Sequence, residues 1–480
     1  MTRLDLDGAE RHEVWHEVLE QILRYQDTVT SAGVAPKLDP QAVRALLAGI
    51  DFSSPCPPVE AVRFVTEALW RHQVHNSHPR YFGLFNPAPA GMAVVGDAMT
   101  AAFNPQLAAW THAPFANEVE MHLIRAFGEK FGYPPGAADG TFAGGGAEAN
   151  HTAVICALVA HFPEFSARGL RALASQPAVY VSQQAHHSFL KAVRATGLGT
   201  DALREVPVDN DLKLDLAQLE ALLRHDRQRG LHPFLLVATA GSTSAGVIDS
   251  LPQAAAIARN NSMWFHVDAA WGGAAALVPE LKGLLAGIEQ ADSITFDAHK
   301  FLSMSMSAAL FLTRDRQILS QAFRITTDYM PKDGAALDIV DPYTHSMQWS
   351  RRFIGLKLFL TLLVAGWDGY ASVIRHQVEM GRQLARMLNS SGWKVVNQTE
   401  LAVACFVDRT RSDGQSAAFL QAIADRVVAS GSAWISTTRL KDGQPVLRAC
   451  ITNFRTEEAD LQALIAALDE ARRAESTASH

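Results

Sequence analysis

A lysine stands where an apolar run ends: "SITFDAHKFLSMSMSAALFL" covers residues 293–312, with Lys300 in its middle. Taken alone, Lys300 has two readings. A lysine at a strand end can bury its stem and keep its ammonium in water. In an apolar site it can instead attack a carbonyl and form a Schiff base. Asp268, in "FHVDAAWGG", is likewise either a cap or turn residue or a buried anion that keeps a heterocyclic nitrogen protonated. "TFAGGGAEANHTAV" (141–154) is either a tight turn or an anion cup. The cup would be formed by the N–H groups of Gly145, Gly146 and Ala147 at the start of a helix running from Ala147 to Val159. His186, in "SQQAHHSFLKAV", is either a polar residue at a strand-to-helix turn or a ring placed to work on a ligand.

The four residues or groups make chemical sense together. Pyridoxal 5'-phosphate needs a phosphate cup, a stacking group, a carboxylate for its ring nitrogen and a lysine for its aldehyde. The chain supplies Gly145–Ala147, His186, Asp268 and Lys300 in that order. The glycine turn matches neither GxGxxG nor GxxxxGK[ST], which disfavours dinucleotide and P-loop readings. No GxSxG elbow is present. "RHQVHNSH" holds His72, His75 and His78, but Pro79 follows and no carboxylate joins them, so no metal centre is expected.

The motifs resemble the group II pyridoxal-phosphate-dependent amino-acid decarboxylases, the family of aromatic-L-amino-acid and glutamate decarboxylases. "GGAEAN" resembles the family's phosphate loop, "QAHHS" its stacking-histidine motif with His186 as the stacking ring, and "HVDAAWGG" its aspartate motif with Ala270 against the ring. "AGSTSAGVIDS" resembles a loop that brings Ser242 and Thr243 to the cofactor. "DAHKFL" resembles the lysine motif, with His299 by the phosphate. "HPRYFG" (78–83), "NPQLAAWTHAP" (104–114) and "WSRRFIGLKLF" (349–359) follow family segments in order, so the likeness is closest over about residues 70–365. Phe301 replaces a usual tryptophan and Ala147 a frequent hydroxyl residue.

The resemblance implies fold type I (aspartate aminotransferase-like) and decarboxylation of an L-amino acid through a Schiff base on Lys300. The alternative on the same fold is aldehyde formation, transamination or carbon–carbon lysis. It implies that Tyr329, in "FRITTDYMPKDG", protonates the α-carbon from a lid. It also implies a homodimer with the site between subunits, and a side-chain pocket near Leu84, Phe85, Asn86, Gln106, Ala108 and Trp110. That mixture is less aromatic than a catechol or indole pocket and shows no obvious arginine for an acidic side chain, so the substrate amino acid is left open.

These groups must be carried by a scaffold. "AVYVS" (178–182), "FLLVATA" (234–240), "MWFHVDAA" (263–270), "SITFDA" (293–298) and "ALFLT" (309–313) are apolar runs, with helix-like stretches at 185–197, 214–228 and 251–260 between several of them. That pattern predicts an α/β fold with a mostly parallel sheet covered on both faces, binding its ligand beyond the carboxyl ends of the strands. Before it, Val14, Val18, Leu19, Ile22 and Tyr25 recur at helical spacing. After an apolar helix at about 350–366 come four further strands and two helices. The expected division is a helical N-terminal segment (1–75, for dimer packing), a large cofactor domain (76–365) and a small α+β domain (366–480).

Composition bounds the rest. The 480 residues are 48% hydrophobic and 19% charged, with net charge −7 and no basic block, which argues against nucleic acid or an anionic membrane as partner. The N-terminus is too polar for a signal peptide, no apolar run approaches about 18 residues, and the four cysteines form no CxxC pair. A cytoplasmic protein is expected.

Overall fold

A computed structural model describes residues 4–325 and 339–478. Seven strands form one sheet: β1 (Asp139–Ala143), β2 (Pro177–Ser182), β3 (Leu203–Val206), β4 (His232–Thr239), β5 (Trp264–Asp268), β6 (Ser293–Asp297) and β7 (Ala309–Thr313). Their order is β1-β7-β6-β5-β4-β2-β3. Strands β3, β2, β4, β5 and β6 run parallel. Helices Ser188–Ala195, Leu216–Gln228 and Leu251–Asn260 make the crossovers that parallel neighbours require. Strand β7 pairs antiparallel with both β6 and β1. Its connection from β6, residues 298–308, holds no α-helix, so the chain returns beside β6 in the opposite direction. That loop carries Lys300.

The strand runs expected at 178–182, 234–240, 263–270, 293–298 and 309–313 are all present. Two strands were not expected. β1 opens on Asp139 and Gly140, and β3 is an edge strand reading Leu-Arg-Glu-Val. Neither shows the continuous apolar run of a strand covered on both faces.

Strand β6 is fully buried. Phe296 in it packs on Phe127 and Phe131, with ring centroids 5.3 and 5.5 Å away. Burying such a ring stabilises by roughly 2–3 kcal/mol, which fixes the backbone immediately before the lysine loop.

A second sheet contains β8 (Trp393–Val395), β9 (Val403–Asp408), β10 (Ser436–Arg439) and β11 (Pro445–Cys450), all antiparallel, in the order β10-β11-β9-β8. Helices Ala417–Ala429 and Glu458–Ala478 accompany it.

The helix Gly355–Ser390 breaks at Gly366, whose φ of 63° lies outside the helical range. Among the described residues it is the one single helix long and apolar enough to cross a membrane by length and composition, which exceeds the sequence expectation. Its apolar face is used within the protein: Leu356, Leu358, Ile374, Val378, Leu384 and Leu388 are buried in the core. Lys357, on the same helix, pairs with Asp97 at 3.2 Å.

At the other end, helix Gly8–Thr28 starts with a capping box between Asp7 and Glu10 and packs on helix Pro58–His72. Leu19 and Ile22 remain exposed, as do Trp15 and Leu23. His75 and His78 bond to protein groups, the Tyr25 hydroxyl at 3.3 Å and the Thr30 carbonyl at 3.2 Å.

Candidate active site

The carboxyl ends of β5 and β6, the glycine turn after β1 and the loop after β2 converge, as expected for a ligand site on such a sheet. Lys300 lies in the turn that leaves β6. Its Nζ is 3.0 Å from Asp297 Oδ2 and 5.6 Å from the centre of the Phe85 ring. His299, next to it, is buried. Its Nδ1 meets the Ala308 backbone, 3.1 Å from N and 3.0 Å from O, and its Nε2 lies 3.7 Å from Asp297 Oδ2. Burial lowers the His299 pKa, with Asp297 opposing.

The glycine turn abuts this loop. A Cβ at Gly145 would sit 3.9 Å from the His299 ring, and one at Gly146 only 2.8 Å from Asp297 Oδ2. Any side chain at 146 would therefore collide with the lysine loop. The helix begins at Gly146 rather than Ala147. Its first N–H groups have no intrahelical acceptor, and no protein acceptor for those of Gly146 or Ala147 occurs among the described residues.

Asp268 ends β5, beside Thr239 of β4 and Thr295 of β6. It is buried, and accepts hydrogen bonds from Asn150 Nδ2 at 2.9 Å and from the Ala270 N–H at 3.2 Å. Asn150 is held in turn. Its Nδ2 also donates to Ser188 Oγ at 2.9 Å, and its Oδ1 accepts from His266 Nε2 at 3.1 Å. His266 Nδ1 then accepts from Ser293 Oγ at 2.8 Å. This tautomer is set by the amide, which must present N–H to the carboxylate and oxygen to the ring. Burial pushes His266 down to about 4, with Asp268 acting against it. The imidazole is thus neutral at neutral pH and serves to orient Asn150.

His186 follows β2. Its Nδ1 accepts from the Ser188 N–H at 3.2 Å, and the residue keeps contact with solvent. Loss of solvent lowers its pKa, Asp268 opposes this and Lys300 adds to it. The ring therefore lies within the field of both groups. In the loop after β4, Ser242 is buried and its Oγ accepts from the Val247 N–H at 3.2 Å, whereas Thr243 is exposed.

The expected pocket residues separate into two sets. Leu84, Phe85 and Asn86 sit by the lysine loop: Phe85 faces Lys300, and Asn86 Nδ2 is 3.0 Å from Met306 Sδ. Gln106, Ala108 and Trp110 bond elsewhere. Gln106 reaches Ser350 and the Ala108 N–H, and Trp110 reaches Asp341 and Glu118. Tyr329 lies outside the described residues.

Sequence reasoning missed Asn150, His266, Asp297 and Arg448. Arg448 is a charge inside the apolar strand β11, and that was the available signal. It is buried, donates to the carbonyls of Gly83 (2.7 Å) and Thr243 (2.9 Å), and lies 4.6 Å from the Phe85 ring centre. Its Nη2 is buried without an acceptor. Trp271 completes the wall, 4.6 Å from Phe85 and stacked on Phe301 at 5.1 Å.

The donor set fits pyridoxal 5'-phosphate. Free helix-start N–H groups and His299 would hold the phosphate, Asp268 the ring nitrogen, His186 the ring face and Lys300 the aldehyde. When bound, the cofactor supplies an aldehyde for the substrate's amino group and an electron sink for the bond to its carboxylate. The chain's own part is to hold the Asp268 carboxylate in place through Asn150 and to keep Lys300 within reach.

The model of the pyridoxal-dependent decarboxylase conserved domain matches residues 63–409. The chain is 30% identical over 485 residues to a tyrosine decarboxylase of Oryza sativa subsp. japonica, covering 95% of this chain and 90% of the relative. It is 27% identical over 459 residues to an aromatic-L-amino-acid decarboxylase of Bacillus atrophaeus, covering 94% and 93%. Among solved structures, mouse CSAD superimposes with a TM-score of 0.90 at 25% identity, over 97% of this chain and 99% of that one. The chain therefore belongs to the pyridoxal-dependent decarboxylases and is a carboxy-lyase that works on an amino acid with pyridoxal 5'-phosphate.

Proposed function

We propose that the substrate is an L-amino acid with a neutral, aromatic side chain, converted to its amine and CO₂. The observation that carries this is the wall beside Lys300: Phe85 backed by Trp271, with Leu84 and Met306 exposed at the rim. Among the described residues, the one other cation over the Phe85 ring is Arg448, whose unpartnered Nη2 we assign to the substrate's α-carboxylate. Among the described residues that leaves no cation against the Phe85 ring for an acidic side chain. The aromatic substrates named for the two relatives support the same class.

Lys300, His186, Asp268 and the Gly145–Ala147 turn take the cofactor roles set out above, and Tyr329 returns the proton to the α-carbon. The exposed apolar residues of helix Gly8–Thr28 support a homodimer that covers them. Free cysteines, one of them the exposed Cys56, support a reducing, cytoplasmic setting.

The test is turnover of aromatic, acidic and diamino L-amino acids, with CO₂, amine and peroxide all measured. An aromatic substrate giving amine without peroxide is expected. Preferred turnover of an acidic or diamino acid overturns the substrate class, and aldehyde with peroxide overturns the reaction. Tyr329→Phe should keep substrate binding, lose most amine formation, and release aldehyde and peroxide in its place.

A further inference from the structure

Asp297 does more in this site than close a turn. Its side chain is 2% exposed, its Oδ2 holds Lys300 Nζ at 3.0 Å, and its Oδ1 is buried with no partner. Both oxygens face Gly146: a Cβ there would meet Oδ2 at 2.8 Å and Oδ1 at 3.0 Å. A carboxylate thus lines the cup whose N–H groups hold the phosphate. Two anions in contact in a buried site do not both stay ionised.

The charges around Asp297 sharpen the conflict. On its own loop are Lys300 and His299. Strand β5 brings Asp268 and the loop after β2 brings His186, while β7 places only Ala309 opposite it. From the glycine-turn helix comes Glu148, whose carboxylate is already engaged by the Gly144 N–H at 2.7 Å and Gln348 Nε2 at 2.6 Å. Among the described residues, the cation that touches Asp297 is Lys300, the residue that reacts with the aldehyde. That condensation releases one water, which carries off two of the three ammonium hydrogens. With the new nitrogen protonated, no net proton is released.

We propose that Asp297 takes up one proton as the cofactor binds, and that Oδ1 then donates an O–H hydrogen bond to a phosphate oxygen. Cofactor seating is in this way linked to pH. The carboxylate gains H⁺ from solvent, and no other bond changes at Asp297. The proposal rests on the cofactor-binding reading above.

The experiment is calorimetric titration of pyridoxal 5'-phosphate into cofactor-free protein, in buffers of different ionisation enthalpy. Wild type should take up about one proton more per cofactor than Asp297→Asn. Wild-type affinity should weaken by up to about tenfold per pH unit as pH rises, and Asp297→Asn should show a flatter profile. The amide can still donate to phosphate, so Asp297→Asn should bind at least as tightly. Equal proton uptake by the two proteins overturns the proposal, as does a folded Asp297→Asn that binds no cofactor. Should the variant not fold, infrared difference spectra of aspartate-labelled wild type decide. A protonated-carboxyl band appearing with cofactor supports the proposal, and its absence refutes it. A wild-type protein that binds no cofactor at all sinks the underlying reading, a result distinct from either.

Discussion

The two sheets serve the site differently. The seven-stranded sheet contributes Asp268 and Lys300 at the ends of adjacent parallel strands, steadied by Asn150 and Asp297 respectively. The four-stranded sheet contributes Arg448, steadied by backbone carbonyls of Gly83 and Thr243, which lie outside that sheet. Lys300 and Arg448 meet at one ring, Phe85. The groups assigned to the cofactor thus sit on one rigid sheet, and the group assigned to the substrate carboxylate is reached across the junction. Cofactor binding and substrate binding should be separable by mutation.

The sharpest break is Lys300→Ala. Turnover should fall by about four orders of magnitude or more, and the purified protein should lose its borohydride-reducible chromophore. Retention of that chromophore would show that another residue forms the Schiff base. Asp268→Asn should follow, lowering kcat by about 10²–10³ because the ring nitrogen loses its anion. Its cofactor should remain bound, and the two readings together separate electronics from retention.

Arg448→Met tests the other sheet. The expected loss is about 2–4 kcal/mol in kcat/KM, expressed mainly in KM, with the cofactor spectrum unchanged. A lost cofactor would place Arg448 with the first sheet and dissolve the contrast.

The last effect concerns stability below neutral pH and leaves turnover aside. His266 has its folded pKa lowered to about 4 by burial, below the unfolded value of about 6.5. In that window the unfolded chain binds more protons, so stability is retained above about pH 6.5 and lost as pH falls towards 4. The contribution is about 3 kcal/mol. Urea unfolding across this range should show it, and His266→Gln should flatten the slope.

The large sheet was legible because its inner strands are covered on both faces and read as unbroken apolar runs. β1 and β3 break that rule with Asp139, Arg204 and Glu205, and pairing decides them instead. Lys300, Asp268 and the glycine turn were legible because each sits in a short local motif. Asn150 stood in a quoted motif without a role, since its partners come from two other segments, Ser188 from the helix after β2 and His266 and Asp268 from β5. Arg448 could not be assigned from local spacing. Its two acceptors lie 365 and 205 positions away, and only the docking of the small sheet brings them together.

Gly83 has a consequence for how this pocket can change. A Cβ there would lie 2.0 Å from the Trp434 indole, and the Gly83 carbonyl holds Arg448. Its hydrogen atom acts as a shim of minimum thickness between the two parts of the protein. Even alanine would press on Trp434 and push the segment beside the four-stranded sheet outward, carrying the guanidinium with it. New substrate preferences are therefore open to substitutions at Leu84 and Asn86 on either side of Phe85, while position 83 sets the gauge of the whole cleft and is closed to change.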